Sequence, residues 1–318
     1  MEIRHMQYLV TIAEYRSITR AAEVLYVSQP SLSHCVAKAE KELGARLFDR
    51  STSPMTLTYA GETFVNLARQ ILQLNQTLEQ EFRDISQNMK GRLRIGMPHE
   101  RATFMLPEII PRFSKEYPMI DLQVITGSRS SLFKALDQGR ADFVIVPYRG
   151  GDPEYTLLPV AEEDLLLVAK KGTIPPSMLC TPGHVELSKT GALKYIMLQR
   201  GHAIRHHVEE LFAEAHISPD VQLETSSNLT ALRLAAAGVG VAIVPRMTLL
   251  IGGCTEEMDV FSIGSGADTW AIPAVFRKGT YIGTVERRFI DIAAETYCAA
   301  VRRMQYAKDD MAAIDARI

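Results

Sequence analysis

Ser28, Gln29, Pro30 and Ser31, followed by Ser33, His34 and Lys38, set hydroxyl, amide, imidazole and ammonium groups at helical spacing. Such groups hydrogen-bond to base edges, and the ammonium neutralises a phosphate, so the chemistry on offer is recognition of duplex DNA in its major groove. An ordinary pair of surface helices with a polar turn is the alternative for these residues taken alone. A second set of chemically able residues lies further along. It comprises Pro98, His99 and Glu100; Ser128, Arg129 and Ser130; Pro147, before Tyr148; Gln199, Arg200 and His202; and Ser226 with Ser227, before Asn228. Hydroxyl-rich helix starts with one or two arginines suit a small anion, most simply a carboxylate, held by amide N–H groups and charge-assisted hydrogen bonds. Helix capping accounts equally well for any one of the serines, and solvation for Arg200.

Other constellations carry less. His202 and His206 stand four apart, but no acidic or sulfur ligand is placed near them, so solvated histidines are preferred and no metal or cofactor is expected. The four cysteines, Cys35, Cys180, Cys254 and Cys298, contain no CxxC and read as buried reduced thiols. Cys180 lacks a resolving cysteine at short spacing, which argues against a redox switch. Gly238 and Gly240 end a helix and lack the third glycine of a dinucleotide loop. No nucleophile with a paired base is visible, so no catalytic residue is assigned.

The elements that must position these groups follow from periodicity. The chain has 318 residues, enough for two or three folding units, and 35 Lys+Arg against 37 Asp+Glu, so a polyanion must be held by a local patch. No signal-like start and no run of about 18 apolar residues occurs, which predicts a soluble cytoplasmic protein. Ile3, Met6, Leu9, Val10 and Ala13 make a first helix. Ser17 caps a second, buried through Ile18, Ala21, Ala22 and Leu25, with the alanines allowing close approach. Ser28 caps a third, where Pro30 falls in the first turn and costs no hydrogen bond. Leu32, Val36, Ala39 and Leu43 form its inward stripe, leaving the DNA-reading groups outside. Gly44 stops it, and residues 46–50 and 55–58 make two strand-like pieces around a polar turn.

"ITRAAEVLYVSQPSLSHCVAKAEKELGARLFDR" followed by "LTYAGETF" closely resembles the N-terminal winged helix-turn-helix of LysR-type transcriptional regulators. The resemblance includes the Ala-Ala pair, Ser-Gln-Pro-Ser-Leu-Ser, Glu-Leu-Gly, Leu-Phe-Asp-Arg and Leu-Thr-x-Ala-Gly. Two departures stand out. His34 replaces a common arginine, and the wing "STSPM" is less basic, so phosphate contact is expected to lean on Arg4, Lys38, Arg46 and Arg50.

From 60 to about 89, Phe64, Leu67, Ile71, Leu74, Leu78, Phe82, Ile85 and Met89 recur at three and four, a long helix whose stripe needs a partner. The resemblance implies that two subunits pair on this linker helix. Beyond 90, strands such as "LRIGM", "IDLQVI", "ADFVIV", "YIMLQ", "VQLET", "VAIVP" and "WAIPAVF" alternate with helices at about 106–117, 131–139, 203–215, 229–238 and 284–304, predicting a mostly parallel sheet.

The fold class expected is α/β with an all-α N-terminal part: winged helix-turn-helix, long linker helix and a two-lobed, periplasmic-binding-protein-like effector domain. Its divisions are 1–58 for DNA binding, 59–90 for the linker, 91–162 with 268–305 for lobe I, 163–267 for lobe II and 306–318 for a tail. Crossings between lobes are placed near 162–164 and 267–269. The implied function is a sequence-specific DNA-binding regulator that senses a small metabolite bearing a carboxylate. Its partners are double-stranded operator DNA, the effector, its own copies as dimer or tetramer, and RNA polymerase; no membrane is implied. The rivals are a two-lobed ligand-processing enzyme or binding protein with an appended DNA-binding head, and an architectural factor that binds DNA without a ligand.

Overall fold

The computed structural model describes residues 1–49, 51, 54–85, 90–148, 150–253, 257–263 and 269–315; for 80, 81, 83–85, 203 and 304–315 it describes the backbone alone. Two compact units, Met1–Asn88 and Met89–Ile318, make up the chain.

In the first unit, α1 (Ile3–Tyr15), α2 (Ile18–Leu25) and α3 (Gln29–Leu43) close a small core. Both predicted caps form: the Ser17 hydroxyl oxygen accepts from Arg20 N at 3.3 Å, and that of Ser28 from Ser31 N at 3.4 Å. Ala21 and Ala22 are buried with Leu9, Ile12, Leu32 and Val36. Leu43, expected on the inward stripe, is exposed. The turn at Gly44, with φ of 68°, brings Leu47 and Phe48 into the core in its place.

The wing pairs β1 (Phe48–Asp49) antiparallel with β2 (Thr56–Leu57). Glu40 anchors its entry, accepting from Leu47 N at 2.8 Å and Phe48 N at 3.3 Å. Thr58 caps the next helix, α4 (Tyr59–Ile85), by accepting from Gly61 N at 3.0 Å while donating to Arg46 O at 2.6 Å. A Cβ on Gly61 would lie 2.0 Å from the Leu47 carbonyl oxygen, so only glycine lets α4 start against this segment. Val65 and Ala68 of α4 pack on Val10, while Leu67, Ile71, Leu74, Leu78 and Phe82 are exposed. The last predicted turn, 86–89, lies outside the described residues.

The second unit begins with β3 (Gly91–Met97), α5 (His99–Glu116), β4 (Ile120–Thr126), α6 (Arg129–Asp137), β5 (Phe143–Ile145) and the long strand β6 (Tyr155–Lys170). Next come β7 (Leu179–Thr181), β8 (His184–Val185), β9 (Lys194–Leu198), α7 (Ala203–Glu214), β10 (Asp220–Thr225), α8 (Asn228–Ala236), β11 (Val241–Pro245), α9 (Arg246–Gly252) and β12 (Met258–Ile263). β13 (Thr269–Arg277) and α10 (Thr284–Asp315) end the unit. Strand order is β10-β9-β11-β6-β13-β5-β3-β4, with β12, β8 and β7 branching from β6. Residues 155–164 of β6 pair with β13, whereas 165–168 pair with β11 and 166–170 with β12. One strand therefore belongs to two sheets and ties two lobes together.

Three expectations need correction. The sheet is mixed: β3 runs parallel to β4 and β5, and β9 to β10 and β11, but β6 and β13 are antiparallel to their sheet neighbours. β6 was not anticipated as a strand because Pro159 and Glu162-Glu163-Asp164 interrupt its apolar pattern. Those charges are answered from a distance: Arg101 donates to Glu163 at 2.8 Å, Met247 N at 2.7 Å, and Arg246 clamps Asp164 with two hydrogen bonds. Finally, α5 starts at His99 and runs through Pro107 and Pro111, because both prolines sit on its exposed side, where the carbonyls they leave unbonded meet water. No described helix is long and apolar enough to cross a membrane.

Candidate DNA-reading face and interlobe cleft

Alternation of burial along α3 builds its outer face. Gln29, Pro30, Ser31, His34 and Lys38 are exposed and Ser33 half-buried, while Leu32, Cys35, Val36 and Ala39 are buried. Burial pushes the Cys35 thiol up, which keeps it protonated within this packing. Arg46 is exposed just before β1, with its carbonyl fixed by Thr58. Arg4 is exposed as well, its Nε donating to the Tyr8 hydroxyl at 2.7 Å. In the wing turn the Asp49 carboxyl is held below its ordinary value, first by the Ser51 hydroxyl and then by the Ser51 N–H. Arg50 lies outside the described residues. Tyr26 was not anticipated. It sits at the corner between α2 and α3 with φ of 53° and is 96% exposed; the signal in the sequence is an aromatic where the turn offers it no core to enter.

In the second unit, α5, α6 and α8 start just beyond β3, β4 and β10, the strand ends where open α/β sheets hold ligands. Ser128 caps α6, accepting from Ser131 N at 3.3 Å and sharing a 3.1 Å hydrogen bond with the Ser130 hydroxyl. The Arg129 guanidinium lies 5.2 Å over the Phe133 ring and 5.3 Å over that of Tyr148, so the loop carrying Pro147 joins this group. Glu100, in the first turn of α5, crosses to the other lobe. Its carboxylate accepts from the Ser227 hydroxyl at 2.9 Å, from Asn228 Nδ2 at 2.8 Å and from Leu229 N at 3.4 Å. The start of α8, expected to hold a ligand's carboxylate, thus holds one from the chain itself.

The remaining predicted residues are less gathered. Pro98 precedes α5 and is half-buried, and His99 is exposed. Gln199 N donates to Thr225 O at 2.9 Å, and Gln199, Arg200 and Ser226 are exposed. His202 N donates to Gln199 O at 3.3 Å. Among the described contacts none joins Arg200 or His202 to the α6 or α8 starts. Tyr148 and Asn228 were missed as site residues although their loops were singled out; contact with Arg129 and Glu100 is what distinguishes them.

His206 is exposed and lies 3.3 Å from Glu210, whereas His207 is buried and stacks on Trp270 at 5.9 Å. Among the described residues no group of His, Cys, Asp and Glu is arranged to hold a metal ion. Two thiols depart from the expected burial. Cys180 on the short strand β7 and Cys298 on α10 are exposed, and Cys254 lies outside the described residues.

Residues 3–62 match the family model described as "Bacterial regulatory helix-turn-helix protein, lysR family", and residues 86–297 match "LysR substrate binding domain". The chain belongs to the LysR family. This LysR-family protein is a DNA-binding transcriptional regulator with an effector-binding domain, and its relatives are regulators rather than enzymes. It is 28% identical over 314 residues to the uncharacterized HTH-type transcriptional regulator YcgK of Bacillus subtilis (strain 168), covering 93% of this chain and 95% of that one. It is 29% identical over 249 residues to the DNA-binding transcriptional dual regulator OxyR of Escherichia coli (strain K12), covering 78% and 80%. In fold it is similar to a full-length OxyR variant from Pseudomonas aeruginosa, with a TM-score of 0.72, 23% identity and coverage of 93% and 94%. Full-length CbnR in complex with its target DNA gives 0.58, 23%, and 93% and 100%.

Proposed function

We propose that this LysR-family regulator reads an operator with the outer face of α3 and changes that contact when a small carboxylate-bearing effector enters the cleft between its two lobes. One observation carries the DNA-reading half: Gln29, Pro30, Ser31, His34 and Lys38 are exposed on one side of α3 while Leu32, Cys35, Val36 and Ala39 are buried behind them. In this role Gln29, Ser31, Ser33 and His34 meet base edges, Pro30 fixes the entry of the helix, and Lys38, Arg46 and Arg50 meet phosphates. The target DNA bound to full-length CbnR supports the same use of this fold.

The exposed stripe Leu67, Ile71, Leu74, Leu78 and Phe82 is apolar over several turns of α4. A second copy of the same helix would cover it, giving a dimer with two α3 faces on one operator; further pairing into a tetramer and contact with RNA polymerase belong to the same proposal. The effector subsites are the α6 start with Ser128, Arg129 and Ser130, the loops holding Pro98, His99, Pro147, Gln199, Arg200, His202 and Ser226, and the α8 start with Glu100 and Ser227. We place the division of the lobes two residues before β6 changes partners at 164–165, with 91–162 and 268–305 in one and 163–267 in the other.

The test has two arms on the full chain. Operator fragments are selected from random DNA and footprinted, and a panel of small organic acids is screened by thermal shift. An acid that raises Tm should also alter the footprint. If stabilising acids leave the footprint unchanged, effector control through this cleft is wrong; if no sequence is enriched, base reading by α3 is wrong.

A further inference from the structure

The one described bridge from the α5 start to the α8 start is the Glu100 carboxylate, and its partners are unusual in being entirely neutral. A hydroxyl, a side-chain amide and a backbone N–H converge on it from α8, and among the described residues no lysine, arginine or histidine pairs with it. Its charge is answered by the start of a nine-residue helix and by neutral donors, the set of groups that a free carboxylate would use. Asn228 adds an independent sign. With its Nδ2 turned to Glu100, its Oδ1 is buried and has no hydrogen-bond partner, so the side chain fills only part of what this corner can bond.

We propose that the α8 start is a carboxylate-binding site which the protein occupies with its own Glu100, and that a free carboxylate can take that place. Occupation by Glu100 ties one lobe to the other. A free acid exchanges one carboxylate for another on Ser227, Asn228 and Leu229 N, leaves the charge count at that corner the same, and releases α5 from α8. Glu100 remains in the first turn of α5, where that helix's own dipole favours a negative charge, and its neighbour His99 is exposed. A ligand that carries a hydrogen-bond donor beside its carboxylate also reaches Asn228 Oδ1, so hydroxy or amino acids fit better than plain ones. The identification of this corner as part of the effector cleft rests on the functional proposal above; the binding of a carboxylate there does not.

Backbone hydrogen exchange at Leu229 and Thr230 in the full chain tests it, with formate as the probe. In E100A the protection of the Leu229 amide should fall by about tenfold or more, and formate on the order of 50 mM should restore it by filling the vacated corner. The wild type should not respond to that concentration, because its site is filled. E100Q should lose protection yet ignore formate, since its amide still occupies the space. E100S, which keeps a polar group at the helix start, replaces E100A should the alanine variant misfold. Unchanged protection in E100A and E100S, or lost protection that formate does not restore, overturns the proposal. Operator footprints taken on the same samples separate the two claims: if formate restores protection but no variant or addition alters the footprint, the carboxylate site stands and the effector role of the cleft falls.

Discussion

His34 and Lys38 lie one turn apart on α3, yet their removal should read differently. H34A should lose about 1–3 kcal/mol of discrimination at one base pair and leave binding to random DNA nearly unchanged. K38A should weaken binding to all sequences alike and flatten the dependence of log K on log salt by about 0.9. Fluorescence anisotropy against operator and scrambled duplexes at several salt concentrations distinguishes these outcomes, and a uniform loss in H34A would place the imidazole on a phosphate. At Glu163, 1% exposed against Arg101, E163Q should cost about 3–5 kcal/mol in urea unfolding, since a buried guanidinium is left without its charge partner. A cost below 1 kcal/mol would mean that water reaches the pair. The caps at Ser17 and Ser28 and the outward facing of His34 were legible in the sequence, because each is set by residues within one helical turn. Glu100 was legible as a cleft residue but not as the occupant of α8, because its partners lie 127 to 129 residues away.

Among the elements, α4 and the α5–α10 pair make opposite uses of their surfaces. The apolar stripe of α4 is exposed, and on the proposed pairing through it the double substitution L74E with L78E should convert a dimer to a monomer in sedimentation at micromolar protein, with the fold retained by circular dichroism. A dimer that persists unchanged would move the pairing surface elsewhere. Between α5 and α10 the contacts are ionic as well as apolar: Arg288 donates to Glu116, Arg112 to Glu295 and Arg303 to Glu108. Hydrogen bonds from Arg288 hold the Glu116 carboxyl below its ordinary 4.5, and those from Arg112 do the same for Glu295. A carboxyl lowered in the folded state adds stability above its unfolded value, and the addition is lost as pH falls through the folded one. R288Q should therefore melt below the wild type at pH 6, and the gap between their Tm values should close as pH falls under 4.5. A gap that stays constant would show that Arg288 acts by packing alone. The helices α3, α4, α6, α7 and α8 could be read from periodicity and caps, but the start of α5 could not: the expected helix began at 106, with Pro107 in its first turn, whereas that proline lies inside a helix begun at His99 and is tolerated there by the direction it faces.

The whole second unit turns on β6, which carries one sheet into the other and places Glu163 and Asp164 at the change of partners. Local chemistry in the chain alone determined the winged helix-turn-helix, its caps, the outward face of α3, the apolar stripe of α4 and the alternation of strands and helices beyond 90. These depend on residues three or four apart, or on alternate positions, whose energetics do not require knowing what lies across the fold. Tertiary contact alone decided that a strand interrupted by three acids is continuous, that the sheet is mixed, that Leu43 yields its place to Phe48, and that Glu100 fills the start of α8. In each of these a charge or an apolar group takes its free energy from partners remote in sequence, and that pairing exists only once the chain has folded.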